Sequence, residues 1–317
     1  MCEIKNVFLV GLGAIGSIYA SKFYDCPSVN FKVLVTQDRL EYYSENPMIF
    51  NGRKYDFEYT VTSENTEKAD LIIISTKNNS LLDVIQMIRP LVKEDTIIIS
   101  LLNGINSEEL LIKEFGKKNV LYSYFIGHAS EKTGRKINHD GVGTVVFGEL
   151  CNKEITQNVL KVKNLFESAN IRFDIPEDML ASMWKKFIIN VGINQTSAIL
   201  KADYRMLQVS KEARILAYDL MFEAVCIAKS LGIKDALCYI DEAFELIDKM
   251  PPDLKSSMLQ DVENNRKSEV DVFAGEIIRL GKLHGIKTPL NQFVYDKLKS
   301  LENDFIKIKG DLSVNLN

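Results

Sequence analysis

The feature that most restricts the fold of this chain is a glycine-rich turn between an apolar run and an amphipathic segment near the N-terminus. The run NVFLV, at residues 6 to 10, leads directly into GLGAIG and then into the helix-like AIGSIYASKF. In a strand–turn–helix unit, the first glycine permits a tight turn, the second lets a pyrophosphate approach the backbone, and the third allows the helix to pack against the strand. The amino end of the helix then faces the anionic phosphates. This spacing predicts a dinucleotide site formed by Gly11, Leu12, Gly13, Ala14, Ile15 and Gly16.

Short β-branched runs alternate with amphipathic segments up to about residue 150, which favours this interpretation over an ordinary strand-to-helix turn. The runs that predict strands lie at residues 6 to 10, 31 to 35, 71 to 76, 96 to 100 and 120 to 126. Most of them are continuously apolar, as in parallel strands that are covered on both faces, and the segments at 14 to 24, 79 to 92 and 106 to 116 suit crossover helices. We therefore expect an α/β fold with an N-terminal, Rossmann-like, doubly wound parallel sheet.

Two features interrupt or end this alternation. Alternating aromatic residues around Asn51-Gly52 predict a hairpin outside the main sheet. From about residue 175 strand-like runs stop, and helical periodicity covers residues 178 to 201, 210 to 231, 237 to 249 and 268 to 284. We predict a dinucleotide-binding domain at residues 1–174, an all-helical substrate domain at 175–308 and a loose tail at 309–317.

Charge, histidine and cysteine content argue against several classes of protein. A net charge of −4 over 317 residues offers no basic field for nucleic acid. The apolar run near the N-terminus is too short for a signal sequence or a membrane span. The five cysteines and three histidines lack the spacing of a metal site or a Ser/His/Asp triad. We expect a cytoplasmic protein with reduced thiols, no metal, no nucleic-acid partner and no membrane contact.

A narrow polar stripe crosses the otherwise apolar segment WKKFIINVGINQTSAIL, residues 184 to 200. Lys186, Asn190 and Asn194 recur at every fourth position, so they share one face of a helix. An exposed polar face is the alternative, but a surface helix is usually polar over half of its circumference or more. Lys185 projects about 100° away from the stripe and suits an exposed role. The narrow stripe on a mostly buried helix therefore predicts the wall of a cleft.

A second candidate segment is SSMLQDVENNRKSEVDVFAGEIIRLGKLHG, residues 256 to 285. Ser268 is a good N-cap with Asp271 three residues later, so we expect a helix that begins near Glu269 and ends at Gly285. A carboxylate in a first helical turn often only complements the helix dipole. Glu269 by itself would therefore not indicate a functional site.

Taken together, these motifs resemble the ketopantoate reductase family (2-dehydropantoate 2-reductases) over nearly the whole chain. The glycine turn alone is common to many dehydrogenases, but its combination with the lysine-asparagine helix and the SSMLQD segment is specific. The matching pieces are GLGAIG at 11 to 16, STK at 75 to 77, LLNG at 101 to 104, HDGVGTVVFGE at 139 to 149, the run of Lys186, Asn190 and Asn194, and SSMLQD at 256 to 261 followed by Glu269.

The resemblance implies the reduction of the small 2-oxo acid 2-dehydropantoate to pantoate with NADPH, a step in pantothenate and coenzyme A biosynthesis. It implies that Lys186 is the general acid, that Glu269 contacts the terminal hydroxyl of the substrate, and that the polar stripe is the substrate-facing wall of an interdomain cleft. The further substrate contacts that it implies are Asn103, Asn190, Asn194 and Ser257. The cofactor contacts that it implies are the glycine turn, Thr36, Lys77 and Asn103.

The cofactor fingerprint is incomplete after the second predicted strand, where the chain reads Thr36-Gln37-Asp38-Arg39. The acid that normally holds the ribose hydroxyls of NAD is missing at Thr36, and so is the arginine that many members of the family carry there. Arg39 and Lys77 are cations that could meet a ribose 2′-phosphate, although either could equally be a solvated surface charge. NADPH is therefore the expected cofactor, and NAD is less favoured.

Two other functions stay open. The same architecture could serve a reductase of another 2-oxo acid, because local motifs determine the type of reaction more than the side-chain specificity. A non-catalytic protein that senses the dinucleotide would be expected to lose the lysine or the glutamate, and this chain keeps both together with the glycine turn. The sequence leaves the oligomeric state open, with a homodimer as one expectation.

Overall fold

The apolar runs in the first half of the chain form strands, and the periodic segments in the second half form helices, as their patterns predict. The computed structural model describes residues 3–63, 65–127, 131–139 and 143–314. The chain divides into two units, Met1–Met179 and Leu180–Asn317. Among the described residues, no helix combines the length and the apolar composition that crossing a membrane requires.

The first unit alternates strands with helices. In chain order its elements are β1 (Asn6–Val10), α1 (Ala14–Tyr24), β2 (Asn30–Leu34), α2 (Gln37–Glu45), β3 (Met48–Phe50), β4 (Arg53–Tyr55), β5 (Tyr59–Thr60), β6 (Leu71–Ile74), α3 (Leu81–Ile88), β7 (Ile97–Ser100), α4 (Ser107–Phe115), β8 (Val120–Gly127), β9 (Glu131–Thr133), β10 (Lys136–Asn138), β11 (Gly143–Gly148), α5 (Gln157–Ser168) and β12 (Phe173–Asp174). The five strands and three crossover helices predicted from the sequence are all present, with ends that differ by a few residues.

A large sheet in the described part of this unit has the strand order β12-β11-β8-β7-β6-β1-β2-β5. Its neighbours from β8 to β5 are parallel, which confirms the predicted doubly wound sheet. Beyond β8 the sheet is mixed, because β11 runs antiparallel to β8 while β12 runs parallel to β11. A parallel return from β8 would need a long crossover, and the described residues between β8 and β11 form short strands and a turn instead.

The continuously apolar strands are buried because both faces of the sheet are covered. Every residue of β6 and β7 is buried. Successive residues of β1 point to opposite faces: Leu9 packs in one core with Phe23 of α1, and Phe8 packs in the other core with Leu81 and Ile85 of α3. Two-sided burial therefore explains why these runs lack the polar alternation of a half-exposed strand.

The predicted hairpin at Asn51-Gly52 is confirmed and lies outside the large sheet. Asn51 and Gly52 have φ values of 48° and 78°, as a two-residue type I′ turn requires, and β3 pairs antiparallel with β4. These strands belong to a small sheet of order β4-β3-β10-β9. Part of the sequence motif at residues 139 to 149 falls on residues 140–142, which lie outside the described residues.

In the second unit, the regular secondary structure of the described residues is helical. Its elements are α6 (Met179–Leu200), α7 (Tyr204–Val209), α8 (Lys211–Ser230), α9 (Cys238–Lys249), α10 (Ser257–Glu263), a π-helical turn (Asp271–Gly275), α11 (Glu276–His284) and α12 (Pro289–Val314). The all-helical second half expected from the periodicity is therefore confirmed. The final helix continues to Val314, within the segment 309–317 that the sequence predicts as a tail.

A partly buried carboxylate joins the starts of two central strands. Asp70, just before β6, accepts hydrogen bonds of 2.9 Å from the backbone N–H groups of Lys5 and Asn6 and one of 2.7 Å from the ammonium of Lys93. Burial alone would raise the pKa of Asp70, but the hydrogen bonds outweigh it and hold the pKa below its ordinary value. The ionised carboxylate therefore stabilises this end of the sheet.

We predict that Asp70→Asn lowers the free energy of unfolding at pH 7 by about 1 to 3 kcal/mol, because it removes charge-assisted hydrogen bonds. Since the pKa of Asp70 is lowered in the folded state, this stabilisation is fully present above the unfolded pKa and is lost as the pH falls through the folded pKa. Urea denaturation at pH 7 and at about pH 3 should show the difference from wild type shrinking in acid.

The control is Asp95→Asn, which removes a carboxylate that lies 3.4 Å from the same ammonium but is half-exposed. An exposed ion pair contributes little, so this variant should match wild type at both pH values. A loss of stability in Asp70→Asn that does not depend on pH would show that the charge of Asp70 is not what stabilises the sheet.

Candidate functional site

The carboxyl ends of four adjacent parallel strands bring the nucleotide-site candidates of the first unit to one edge of the large sheet. Gly11 follows β1, Thr36 follows β2, Lys77 follows β6 and Asn103 follows β7, and the strand order here is β7-β6-β1-β2. Open α/β sheets bind ligands at this edge, where the strand order reverses. The chain passes from β1 to β2 on one side and later to β6 on the other, so the glycine turn lies at the switch point.

Gly11 and Gly16 lie where the backbone packs too closely for a side chain. Gly11 has a φ of +103°, and a Cβ atom there would lie 2.8 Å from the carbonyl carbon and oxygen of Ser75. A Cβ atom on Gly16 would overlap the carbonyl oxygen of Gly11 and the hydroxyl of Ser75. The Ser75 hydroxyl donates a 2.8 Å hydrogen bond to that carbonyl oxygen, which fixes the turn against the end of β6.

The amino end of α1 has the properties of an anion site. Gly13 caps this helix without a side-chain capping bond, and the first turn carries no acidic side chain. The first amide groups of a helix have no partner within the helix, and they carry a partial positive charge. Nearby, the hydroxyl of Thr76 is buried and has no hydrogen-bond partner among the described residues. The charge of this helix end suits a pyrophosphate, and Gly13 has no side chain that would keep the phosphates away from its backbone.

The end of β2 presents exposed polar groups and no carboxylate at position 36. Thr36 caps α2 without a side-chain capping bond, and it is exposed together with Gln37 and Arg39. The amide of Gln37 donates a hydrogen bond of 3.4 Å to Glu41. Lys77, after β6, is also exposed. Both predicted cations are therefore accessible at the ligand edge of the sheet.

In the second unit, α6 carries the polar stripe on a mostly buried helix. Lys186 and Asn190 are half-buried and Asn194 is 9% exposed, whereas Phe187 next to the stripe is 1% exposed. The narrow polar band predicted from the sequence is thus present. Lys185 forms an ion pair with Glu242 of α9, which agrees with the exposed role that its direction predicts.

The segment at Glu269 differs from the predicted helix start. The predicted end at Gly285 is confirmed by its left-handed φ of +68°, but the helix begins with the π-helical turn Asp271–Gly275. Ser268 is a poor N-cap, since the N–H of Val270 is 3.4 Å from its hydroxyl oxygen while that hydroxyl donates a 2.7 Å bond to Glu302. The short bond of the Ser268 hydroxyl is thus the one to Glu302, and the N-cap of the π-helical turn is Val270.

An aromatic contact joins the two parts of the candidate site in the second unit. Phe187 follows Lys186 on α6, Phe273 lies in the π-helical turn after Glu269, and their ring centroids are 6.3 Å apart. The structure therefore brings the lysine helix and the Glu269 segment together. Ser257 is exposed at the first position of α10, where the neighbouring Ser256 caps the helix through a 3.1 Å hydrogen bond from the N–H of Leu259.

Two polar residues of these regions were missed by the sequence analysis. The first is Thr76, which follows a buried strand, so its place at the ligand edge of a parallel sheet could have been inferred. The second is Glu302, which lies one helical turn after Lys299 in the charged sequence of α12. Such a pair usually indicates an exposed face, and the sequence carries no sign that Glu302 is buried.

The comparison with known protein families decides the classification. The family model described as ketopantoate reductase PanE/ApbA matches residues 7–152, and the model of its C-terminal domain matches residues 178–302. The chain belongs to the ketopantoate reductase PanE/ApbA family. The two models cover both units, so the assignment of an oxidoreductase of this family applies to the whole fold.

Individual ketopantoate reductases and one mandelate dehydrogenase are similar over almost the full chain. A 2-dehydropantoate 2-reductase of Nostoc sp. is 25% identical over an alignment of 308 positions, which covers 94% of this chain and 95% of that protein. The structure of D-mandelate dehydrogenase with NADH and anilino(oxo)acetate has a TM-score of 0.85 at 21% identity and covers 95% of this chain and 99% of that one. A dimeric ketopantoate reductase from Staphylococcus aureus has a TM-score of 0.79 at 20% identity, with the same coverage of 95% and 99%. The two solved structures support the fold alone.

We predict that Gly11→Ala destabilises the protein by about 1 to 3 kcal/mol more than Gly52→Ala does, since its methyl group meets the backbone of Ser75. It should also weaken the binding of a nicotinamide dinucleotide, because the turn must move. Both glycines have a positive φ, but among the described residues no atom lies within 4 Å of a Cβ atom on Gly52. Urea denaturation and a fluorescence titration with NADPH measure the two effects, and equal losses in both variants would contradict the role of close packing.

Proposed function

We propose that this protein is an NADPH-dependent 2-dehydropantoate 2-reductase. The observation that carries the proposal is Lys186 with Asn190 and Asn194 in a narrow stripe on the mostly buried α6, whose Phe187 contacts the segment of Glu269. The family membership and relatives such as the 2-dehydropantoate 2-reductase of Nostoc sp. support the same substrate.

The stripe suits the reduction of a ketone. NADPH supplies the hydride that adds to the carbonyl carbon. As negative charge develops on the carbonyl oxygen, an ammonium group can stabilise it and then transfer a proton to it. We assign this role to Lys186. The rigid helix fixes the direction of its side chain, and Asn190, one turn along, lies on the same face to contact the substrate.

The other candidates bind and orient the substrate and the cofactor. We assign the contact with the terminal hydroxyl of the substrate to Glu269, because an ionised carboxylate is a strong acceptor for it. The further substrate contacts assigned are Asn103, Asn194 and Ser257. The cofactor contacts assigned are the glycine turn from Gly11 to Gly16, Thr36, Lys77 and Asn103, which follow adjacent parallel strands.

A second candidate function is the reduction of another 2-oxo acid, favoured by the similarity in fold to a D-mandelate dehydrogenase. Purified protein should be assayed with 2-dehydropantoate and with phenylglyoxylate, the oxidised form of mandelate. We expect the higher kcat/KM with 2-dehydropantoate. A higher value with phenylglyoxylate would support the second function, and nucleotide binding without turnover of any 2-oxo acid would favour a dinucleotide sensor. We also propose a homodimer, as named for the Staphylococcus aureus reductase, which analytical ultracentrifugation would measure.

Replacing Lys186 by alanine should lower kcat by about two or more orders of magnitude, since a general acid commonly contributes 10²- to 10⁴-fold. The affinity for NADPH should stay nearly unchanged, because the assigned nucleotide contacts lie on other residues. Steady-state kinetics and a nucleotide titration measure the two quantities. Lys185→Ala is the matched control: it removes the adjacent lysine, which pairs with Glu242, and should be mild. Equal activity of the two variants would refute the assignment.

The choice between NADPH and NADH tests the contacts at the end of β2. Thr36 leaves no carboxylate to repel a 2′-phosphate, and Arg39 and Lys77 are accessible cations. One charged hydrogen bond contributes about 1.5 to 3 kcal/mol, so we expect a roughly ten- to hundredfold preference for NADPH in kcat/KM.

Measurements on wild type, Arg39→Ala and Lys77→Ala check the cofactor contacts. At least one of the two variants should lose most of the preference for NADPH. A wild-type preference for NADH, the nucleotide found with the D-mandelate dehydrogenase, would refute the cofactor. A preference that is unchanged in both variants would refute the named cations.

A further inference from the structure

Glu302 on α12 is a buried carboxylate that holds the backbone directly before Glu269. It is only 7% exposed. Its Oε1 atom accepts hydrogen bonds from the N–H and the hydroxyl of Ser268, at 2.9 and 2.7 Å, and its Oε2 atom lies 3.4 Å from the ammonium of Lys299. A buried carboxylate is costly unless such partners compensate for the lost water. The position of Ser268 is therefore tightly determined by Glu302.

The backbone after Glu269 is held by the same helix. Asp271 accepts a 2.9 Å hydrogen bond from the hydroxyl of Tyr295 and a 3.0 Å bond from the ammonium of Lys299, both on α12. Partial burial would raise the pKa of Asp271, but the bonds from Lys299 and Tyr295 outweigh it and lower the pKa below its ordinary value. Lys299 thus bonds to both carboxylates: Glu302, which holds the residue before Glu269, and Asp271, which follows Glu269.

Between these two attachments, the backbone of Glu269 leads into the π-helical turn. Its carbonyl oxygen accepts from the N–H groups of both Val272 and Phe273, at 2.9 and 3.2 Å, and the N–H of Gly275 donates to Val270 over 3.0 Å. A π-helical turn is a rare geometry that is frequent at functional sites. Glu269 therefore lies two residues before this turn, and Ser268 and Asp271 on either side of it are both bonded to α12.

We propose that Glu302 is a positioning residue for Glu269. Through Ser268 and Lys299 it fixes the backbone from which the carboxylate of Glu269 reaches the terminal hydroxyl of the substrate. This inference rests on the proposed function, which assigns that contact to Glu269. A network that serves stability alone would affect every substrate equally, whereas a displaced carboxylate penalises only the substrate whose hydroxyl it binds.

The test compares 2-dehydropantoate with 3,3-dimethyl-2-oxobutanoate, in which a methyl group replaces the hydroxymethyl group. Glu302→Gln keeps the shape of the side chain but turns an amide NH₂ towards either Ser268 or Lys299. We expect kcat/KM to fall about tenfold with 2-dehydropantoate and less than about threefold with the analogue. The two kcat/KM values define a ratio, 2-dehydropantoate over analogue, which should therefore fall in Glu302→Gln. Ser268→Ala, which removes one hydrogen bond to Glu302, should lower this ratio by a smaller factor.

Glu269→Gln provides the reference for complete loss of the hydroxyl contact. Its ratio of kcat/KM values should fall further than that of Glu302→Gln. Because both residues act through one contact, Glu302→Gln should cause no further fall in the ratio when it is added to Glu269→Gln. The matched control is Asp296→Asn on the same helix, where an exposed carboxylate accepts a 2.9 Å hydrogen bond from the side-chain amide of Gln292. This control should leave both kcat/KM values unchanged.

The outcomes separate the two proposals. A wild type that does not prefer 2-dehydropantoate over the analogue overturns the hydroxyl contact in the proposed function, and the positioning role falls with it. A wild type that has the preference, combined with equal losses on both substrates in Glu302→Gln and Ser268→Ala, overturns the positioning role alone. Should Glu302→Gln fail to fold, Ser268→Ala and Lys299→Met, which each remove one partner of Glu302, decide: an unchanged ratio in both variants overturns the proposal.

Discussion

The parallel packing of β1 between β2 and β6 is the constraint on which the nucleotide site of the first unit depends. Parallel strands end at the same edge of a sheet, so the residues after β1, β2, β6 and β7 meet there although they are far apart in the chain. The turn after β1 must then pass the end of β6 at close range, where a Cβ atom on Gly11 would lie 2.8 Å from the backbone of Ser75. The glycines are thus a consequence of how the strands pack, and the uncapped helix end beside them is the anion site that results.

In the second unit, polar side chains are held on helices that are mostly buried. On α6, apolar residues such as Phe187 are packed inside, and the stripe from Lys186 to Asn194 is narrow enough to leave the rest of the surface for the core. A second buried group, the carboxylate of Glu302, is compensated by Ser268 and Lys299. Both arrangements place a polar group at the boundary of a core, where its direction is fixed by packing and hydrogen bonds.

The family assignment and the substrate rest on different kinds of observation. Matches to both family models place the chain in the ketopantoate reductase PanE/ApbA family, whereas the solved structure of a D-mandelate dehydrogenase shares the fold at 21% identity. A fold supports more than one substrate because specificity depends on a few side chains that contact the variable part of that substrate. In this chain we propose Glu269 as the residue whose contact distinguishes a hydroxylated 2-oxo acid from one without the hydroxyl group.

Features that depend on local periodicity could be predicted from the sequence alone. Continuous apolar runs indicated two-sided burial for β6 and β7, the glycine spacing indicated the turn after β1, and the four-residue spacing of Lys186, Asn190 and Asn194 indicated one helix face, because each pattern reports which face of its own segment is buried. Three other features are visible only in the folded molecule: the antiparallel pairing of β11 with β8, the π-helical turn after Glu269 and the burial of Glu302. Each of these depends on a partner that is distant in the sequence: the pairing strand for β11, and α12 for the segment around Ser268. Local patterns carry no information about such partners, since pairing and the compensation of a buried charge are settled only when distant segments meet.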